Sequence, residues 1–496
     1  MNRYRFLALT LCLILLCGCG TTAPDTAAPA DPPEDAQTDQ ITPEDAAPLP
    51  CGLAYDSGAT LNPYNTRSLT NRVFLPLCYE SLYTISADYA AVPLLAADCA
   101  VSEDEKTYTI TLRRGVTFSD GTPLTATDAA NALLTAKNTV YYGSRLRRLA
   151  SATAADAQTL VLTLSTPSQY FTLLLDVPIV KTGTAADEIP VGTGPYTIAA
   201  SLDALEPNDH WWQTRQTVFN GQTIPLMAAG TAEALRAAFE SDQISLVCVD
   251  PNTTGAAVYH RDYELWNRPT NILVYLGFNP QRTLFSSQTV RSAVTHAIDR
   301  TALVQEQFGS FAVAATLPVS LLSPFYDESL AAQYDYDPDA AKALAQPAGT
   351  EPGVFLVCSE DPTQVQLAQA LCETLTAAGL PLEVKAVEQS NFQTILRAGS
   401  YDLYLGQVRL TADFDLRPFF SGELSYGGIG STELNDLSAA ALENEGNYYD
   451  LHRAVMTQAP FCPLLFKSYA VYTTRGAISN LTPGPGDVFF AVPETT

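Results

Sequence analysis

One stretch, residues 353–387, narrows the fold more than any other. Val354-Phe355-Leu356-Val357-Cys358 is an unbroken apolar run of strand length. Asp361 follows with Pro362 directly after it, the pairing of a helix N-cap with a proline at the first helical position. Leu367, Leu371 and Leu375 recur at a spacing of four and so share one helix face, Gly379 stops the helix, and Leu382–Val387 reads as a second strand. Strand, helix, strand is a βαβ unit, which sets its two strands parallel. The predicted class is therefore α/β.

The rest of the chain alternates strand and helix signals without a short repeat. Tyr108, Ile110 and Leu112 alternate with Thr107, Thr109 and Thr111, the period of a half-buried strand. Arg114-Gly115 turns the chain into a second strand, Val116-Thr117-Phe118, ended by Ser119-Asp120-Gly121. A helix follows with Ala126, Ala129, Ala130, Leu133 and Leu134 on one face. Thr289 is expected to cap another helix, with Val290, Ala293, Val294, Ala297 and Ile298 as its apolar stripe. Tyr401-Asp402-Leu403-Tyr404-Leu405 reads as a strand.

The N-terminus does not belong to this body. Arg3 and Arg5 precede an apolar stretch over residues 6–16, which is too short for a bilayer core of about 30 Å and fits the h-region of a signal peptide. Leu16-Cys17-Gly18-Cys19 resembles the lipobox of bacterial lipoproteins. Gly18 supplies the small residue before Cys19, whereas Cys17 follows Leu16. Residues 1–18 are thus expected to be a signal peptide, and Cys19 the lipidated residue. Residues 21–50 hold seven Pro, seven acidic residues and no Lys, Arg or aromatic. Such a segment buries too little apolar surface to fold, so residues 19–50 read as a lipidated cysteine and a disordered tether.

Charge removes whole classes of function. The chain carries −26, and residues 51–496 still hold 25 Lys+Arg against 46 Asp+Glu. A surface that acidic repels phosphate backbones, so no nucleic-acid partner is expected. The cysteines beyond the lipobox (Cys51, Cys78, Cys99, Cys248, Cys358, Cys372 and Cys462) form no C-x-x-C pair and read as small buried hydrophobes, Cys358 most clearly. His210, His260, His296 and His452 show no metal-ligand spacing, and neither a G-x-S-x-G nor an H-E-x-x-H motif occurs. No enzyme, cofactor or metal is expected. Gly192-Thr193-Gly194 and Gly427-Gly428-Ile429-Gly430 lack a strand–helix context for phosphate binding and read as turns.

Several segments, in order along the chain, resemble one family. They are Leu61-Asn62-Pro63, Tyr79-Glu80-Ser81-Leu82-Tyr83, Val92-Pro93-Leu94-Leu95-Ala96 and residues 108–115 (YTITLRRG). Residues 118–128 (FSDGTPLTATD), Val191-Gly192-Thr193-Gly194-Pro195-Tyr196 and Phe278-Asn279 come next. Val290-Arg291-Ser292-Ala293, Ala297-Ile298-Asp299-Arg300, Ala459-Pro460 and Pro463-Leu464 complete the series. The chain resembles the family 5 extracellular solute-binding proteins, the oligopeptide, dipeptide and nickel receptors of ABC importers.

That resemblance implies a two-lobed fold of the periplasmic-binding-protein kind (type II, cluster C) with an extra domain inserted in the first lobe. Lobe one would be residues 51–75, 191–275 and 465–496, the inserted domain 76–190, and lobe two 276–464. It also implies a monomer, lipid-anchored at the extracytoplasmic face of the cell membrane. Such a receptor closes by hinge bending over a short peptide or similar small molecule and delivers it to ABC permease subunits with their ATPases. The alternatives are a sensor or scaffold lipoprotein of the same fold, or a receptor for a chelated metal or an oligosaccharide.

The resemblance also supplies candidate ligand-binding residues. In peptide-binding members the stretch matching Thr66-Arg67-Ser68-Leu69 lies along the ligand main chain as an added strand would. Leu410-Thr411-Ala412-Asp413-Phe414 resembles the family's W-x-A-D-Y, which makes Asp413 the partner of a ligand ammonium, with Asp415 able to share its face. Arg409 and Lys467 are candidate partners of a ligand carboxylate. Two departures bear on ligand class: Leu410 replaces an aromatic, and Asp98-Cys99 stands where an aromatic is usual.

Overall fold

The computed structural model describes residues 51–213, 219, 221–253, 259–309, 311–346, 350–422, 424–426, 430–478 and 481–490. The signal segment, Cys19, the tether and Gly427-Gly428-Ile429 lie outside the described residues. Among the described residues no helix is long and apolar enough to cross a membrane.

The βαβ unit forms as its sequence dictates. Strand Gly353–Cys358 pairs in parallel with Leu382–Val387 across the helix Pro362–Ala377. Asp361 Oδ1 accepts the N–H groups of Thr363 at 3.1 Å and Gln364 at 3.4 Å, and Leu367, Leu371 and Leu375 are buried. Gly379 turns the chain at φ +93°, where a side chain would be strained. Cys358, at the end of its strand, is half-buried rather than buried.

This unit is one edge of a seven-stranded sheet, which runs 246–249, 461–474, 263–278, 403–409, 353–358, 382–387, with 312–314 added on 461–474. Two strands are far longer than the others, Tyr263–Phe278 and Phe461–Thr474. Their pairing breaks in the middle, where the register shifts between Pro269 and Leu273. Pro269 has no N–H to give the ladder, so a break is tolerated there. Before it the pair borders Leu246–Val249, and after it Leu403–Arg409. The two long strands thus run through both halves of the sheet.

A second sheet joins Leu53–Tyr55, Ile224–Ala228, Ala204–Pro207 and Tyr196–Ile198. A third is wholly antiparallel, in the order 96–101, 107–112, 159–164, 149–154. In it Tyr108, Ile110 and Leu112 are buried at every second position, as their alternation predicts. Two helices matter to the site: α1, Leu69–Cys78, and α2, Ala126–Lys137. Thr125 and Asp128 close a capping box on α2. The third sheet shares its main core with the second, but Ile85, Tyr89 and Leu173 pack instead with Tyr275, Phe414 and Phe466.

Three local expectations shift. Val116-Thr117-Phe118 is no strand: Thr117 makes one isolated bridge to Pro123, whose missing N–H stops the ladder. The helix assigned to Thr289 begins earlier, at Gln288 with Ser287 as N-cap, while Val290, Ala293, Val294 and Ala297 are buried as expected. The strand read from Tyr401 runs instead from Leu403 to Arg409.

Candidate functional site: an arginine-rich cleft

α1 is fixed at its start. Ser68 is its N-cap and accepts the N–H of Asn71 at 3.5 Å. Asn71, fully buried, accepts the N–H of Asp56 at 2.7 Å and donates to the carbonyls of Asp56, Ala59 and Thr60 at 3.1–3.3 Å. With that turn locked, Arg72 has one course. Its Nε donates to the Thr66 carbonyl at 3.2 Å and its guanidinium lies over the ring of Tyr141, 3.3 Å from the centroid.

The cavity beside it has a volume of about 460 Å³ and is lined by five arginines, Arg67, Arg72, Arg145, Arg268 and Arg409, with Tyr79, Tyr89, Tyr141, Tyr142 and Tyr469 among its aromatic walls. Arg145 is ion-paired with Asp176. The other four form no ion pair with a carboxylate among the described residues. Arg268 donates to the carbonyls of Gly484 at 3.3 Å and Pro485 at 3.1 Å. Arg409, at the end of strand Leu403–Arg409, donates to Asn271 Oδ1 at 3.2 Å and to the Tyr469 hydroxyl at 3.1 Å. Neutral oxygens satisfy hydrogen bonds but leave the charge uncompensated. Glu80, also on the wall, accepts from Thr193 Oγ1 at 2.9 Å, Trp211 Nε1 at 3.2 Å and Trp212 Nε1 at 2.8 Å.

The field of these cations shows on Tyr141. Burial alone would raise its phenol, but the guanidiniums of Arg72, Arg145 and Arg409 outweigh burial and bring it down to about 8. Arg72 belongs to α1, Arg145 to the loop after α2, and Arg409 to the large sheet. Three separate parts of the fold therefore converge on one positive pocket.

Of the residues singled out from sequence, Arg67, Leu69 and Arg409 line this cavity. The stretch 66–69 offers no strand edge: the Thr66 and Ser68 carbonyls receive Nε and N–H of Arg72, and Leu69 is already helical. Lys467 is buried, with Nζ 2.5 Å from Asp250 Oδ2. A buried ammonium needs a counter-charge, and Asp250, just past strand Leu246–Val249, provides it. Asp413 has no exposed surface, and its carboxylate is ion-paired with Arg148. Thr411 Oγ1 donates to Asp413 Oδ1 at 2.5 Å, and the Tyr448 hydroxyl to the Asp413 carbonyl at 2.5 Å. Asp415 pairs with Arg417 at 2.6 Å, and Leu410 lies in the core.

Sequence reasoning missed Arg72, Arg145, Arg148 and Arg268. A signal for two of them was present: residues 141–148 read YYGSRLRR, three arginines in four positions beside two tyrosines, in a chain with only 27 basic residues. Gly192 and Gly194 are more than turn residues. A Cβ on either would run into the backbone carbonyls of Cys78 and Leu77 at the end of α1. Among the described residues no group of three or more His, Cys, Asp or Glu could hold a metal.

The profile of a family described as bacterial extracellular solute-binding proteins, family 5 Middle, matches residues 90–430. The chain belongs to the family 5 extracellular solute-binding proteins. It is a solute-binding receptor of a family that acts outside the cytoplasm. It is 28% identical over 449 residues to the glutathione-binding protein GsiB of Salmonella choleraesuis (strain SC-B67), covering 82% of this chain and 86% of that one. Its fold matches HbpA2 from Haemophilus parasuis with a TM-score of 0.75 at 19% identity, over 89% of this chain and 98% of that one. It matches the ABC transporter substrate-binding protein CtaP from Listeria monocytogenes with a TM-score of 0.73 at 18% identity, over 88% and 97%. The family 5 receptor has the two-lobed α/β fold expected from its motifs.

Proposed function

We propose that this receptor captures a short peptide-like solute carrying one or more carboxylates and delivers it to the permease and ATPase subunits of an ABC importer. The observation that carries this reading is the set of four guanidiniums on the cavity wall that form no ion pair with a carboxylate among the described residues, in a chain of net charge −26. Grouped cations of like sign repel one another until an anion joins them, and a guanidinium binds a carboxylate through paired, charge-assisted hydrogen bonds. A peptide recognised as such also needs apolar and aromatic walls, which the tyrosines supply. The relative GsiB is named for glutathione, a tripeptide with two carboxylates, in keeping with this chemistry.

The lobes divide as the motif order implies, with 51–75, 191–275 and 465–496 in lobe one, 76–190 inserted and 276–464 in lobe two. The ladder break between Pro269 and Leu273 is the hinge. The receptor works as a monomer without catalysis, anchored by a lipid on Cys19. Cys19→Ala is expected to move it from the membrane fraction to the soluble extracytoplasmic fraction, and Cys17→Ala to leave it in the membrane fraction; retention of the Cys19 variant in membranes contradicts the anchor.

Calorimetric titration with glutathione and acidic tripeptides tests the solute class. A tripeptide acid should bind and raise the melting temperature, while its fully amidated form should not. Equal binding of acid and amide would remove the reading.

A further inference from the structure

Asp413 stands directly behind the cavity. Ala412 is on the wall, and so is Tyr89, whose ring packs on Phe414 at 5.0 Å. A carboxylate with no exposed surface in that place requires a cation. The solute could bring one, or the chain could. Here the chain does: Arg148 reaches Asp413 from the segment before strand Leu149–Ala154, across 265 residues of sequence. Only three positions earlier, Arg145 lines the cavity itself. The Arg148 guanidinium is not saturated, since its buried Nη1 has no hydrogen-bond partner among the described residues. A group placed for a larger acceptor array than it finds is here serving mainly as a charge.

We propose that Arg148 is a built-in counter-ion occupying the place where Asp413 would otherwise receive an ammonium group of the solute. The receptor therefore reads the acid groups of its solute and not a free amino terminus. This rests on the anionic-solute reading for its consequence, but the occupied seat is a property of the protein alone. The surroundings are balanced without the solute: Asp415 and Arg417 pair beside it at 2.6 Å, and Thr411 and Tyr448 fix the Asp413 side chain and carbonyl. Arg148 also ties the third sheet to the segment after strand Leu403–Arg409, so the cation that holds these parts together is internal.

The test uses the whole protein and small cations as probes, with melting temperature as the readout. Arg148→Ala should melt lower than wild type. Methylammonium or methylguanidinium chloride should restore much of the loss, sodium chloride at equal ionic strength should not, and the added Asp413→Asn change should abolish the rescue. Arg148→Gln, which keeps a hydrogen-bond donor for Asp413, carries the same test if the alanine variant does not fold. Wild type should show no methylammonium-specific shift. Absence of cation-specific rescue in the variants would overturn the proposal, because the pair would then be packing without a seat. A methylammonium shift in wild type that Asp413→Asn removes would overturn it too, because the seat would then be open. Neither arm involves the solute, so failure here is distinct from failure of the anionic-solute reading.

Discussion

Arg72 covers the ring of Tyr141, its guanidinium carbon 3.3 Å from the ring centroid. The contact joins α1 to the basic segment 141–148 at the cavity wall, and it couples a titrating phenol to the cations proposed to hold the solute. Phenol and solute carboxylate want the same positive field.

That coupling predicts an alkaline loss of affinity. The Tyr141 phenol, brought down to about 8, ionises as pH rises through that value and then competes as an anion for Arg72 and Arg409. Affinity for an acidic tripeptide should fall above about pH 8, and Tyr141→Phe should remove the fall. Titration calorimetry at pH 7 and 9 measures it; an unchanged alkaline limb in the phenylalanine variant would contradict the coupling.

A second pH effect has the opposite origin. His452 is completely buried, neither ring nitrogen has a hydrogen-bond partner among the described residues, and burial lowers its pKa from 6.5 to about 3 despite the nearby carboxylate of Asp327. Between those values the unfolded chain binds a proton at this position and the folded chain does not. Stability contributed by the neutral ring is therefore complete above pH 6.5 and is lost as pH falls toward 3. His452→Phe should flatten the acid decline of melting temperature measured between pH 7 and 4.

The Lys467–Asp250 pair sits beside the break in the long strands, where Thr270 Oγ1 also donates to the Lys467 carbonyl at 2.6 Å. Asp250→Asn strands a buried ammonium and should cost about 3–5 kcal/mol in chemical unfolding. Replacing both residues, as Asp250→Leu with Lys467→Met, should recover most of it. A single variant as stable as wild type would show that the pair contributes little.

Gly194 predicts a steric result. A Cβ there would lie 2.3 Å from the Leu77 carbonyl oxygen, so Gly194→Ala must push the end of α1 away from its place. Expression of soluble protein should fall sharply, whereas Gly115→Ala, with open space around it but φ +77°, should cost only about 1 kcal/mol in unfolding measurements.

The parts legible from sequence are those decided locally. Asp361-Pro362 starts its helix and Gly379 ends it because capping and backbone strain act within a few residues. The alternation at Tyr108, Ile110 and Leu112 placed a strand for the same reason. Asp413 stood out by its motif, but its partner Arg148 lies 265 residues away and no local rule links them. The positive pocket was hidden likewise, since Arg67 before α1, Arg145 after α2, and Arg268 and Arg409 on strands of the large sheet become neighbours only in the folded chain. The resemblance of 66–69 to a ligand-pairing segment suggests an added strand and does not reveal that Ser68 already caps α1.

Charge at the solute's acid end is the most direct discriminator. Calorimetry with one tripeptide as free acid and as amide, against wild type and Arg409→Gln, decides it. Loss of one charge-assisted pair is expected to cost about 1.5–3 kcal/mol, or roughly one to two decades in affinity. The free acid should bind wild type, weaken by that amount in Arg409→Gln, and lose most of its affinity on amidation. Undiminished binding of the amide, with Arg409→Gln matching wild type, would contradict the arginine cleft as the solute site.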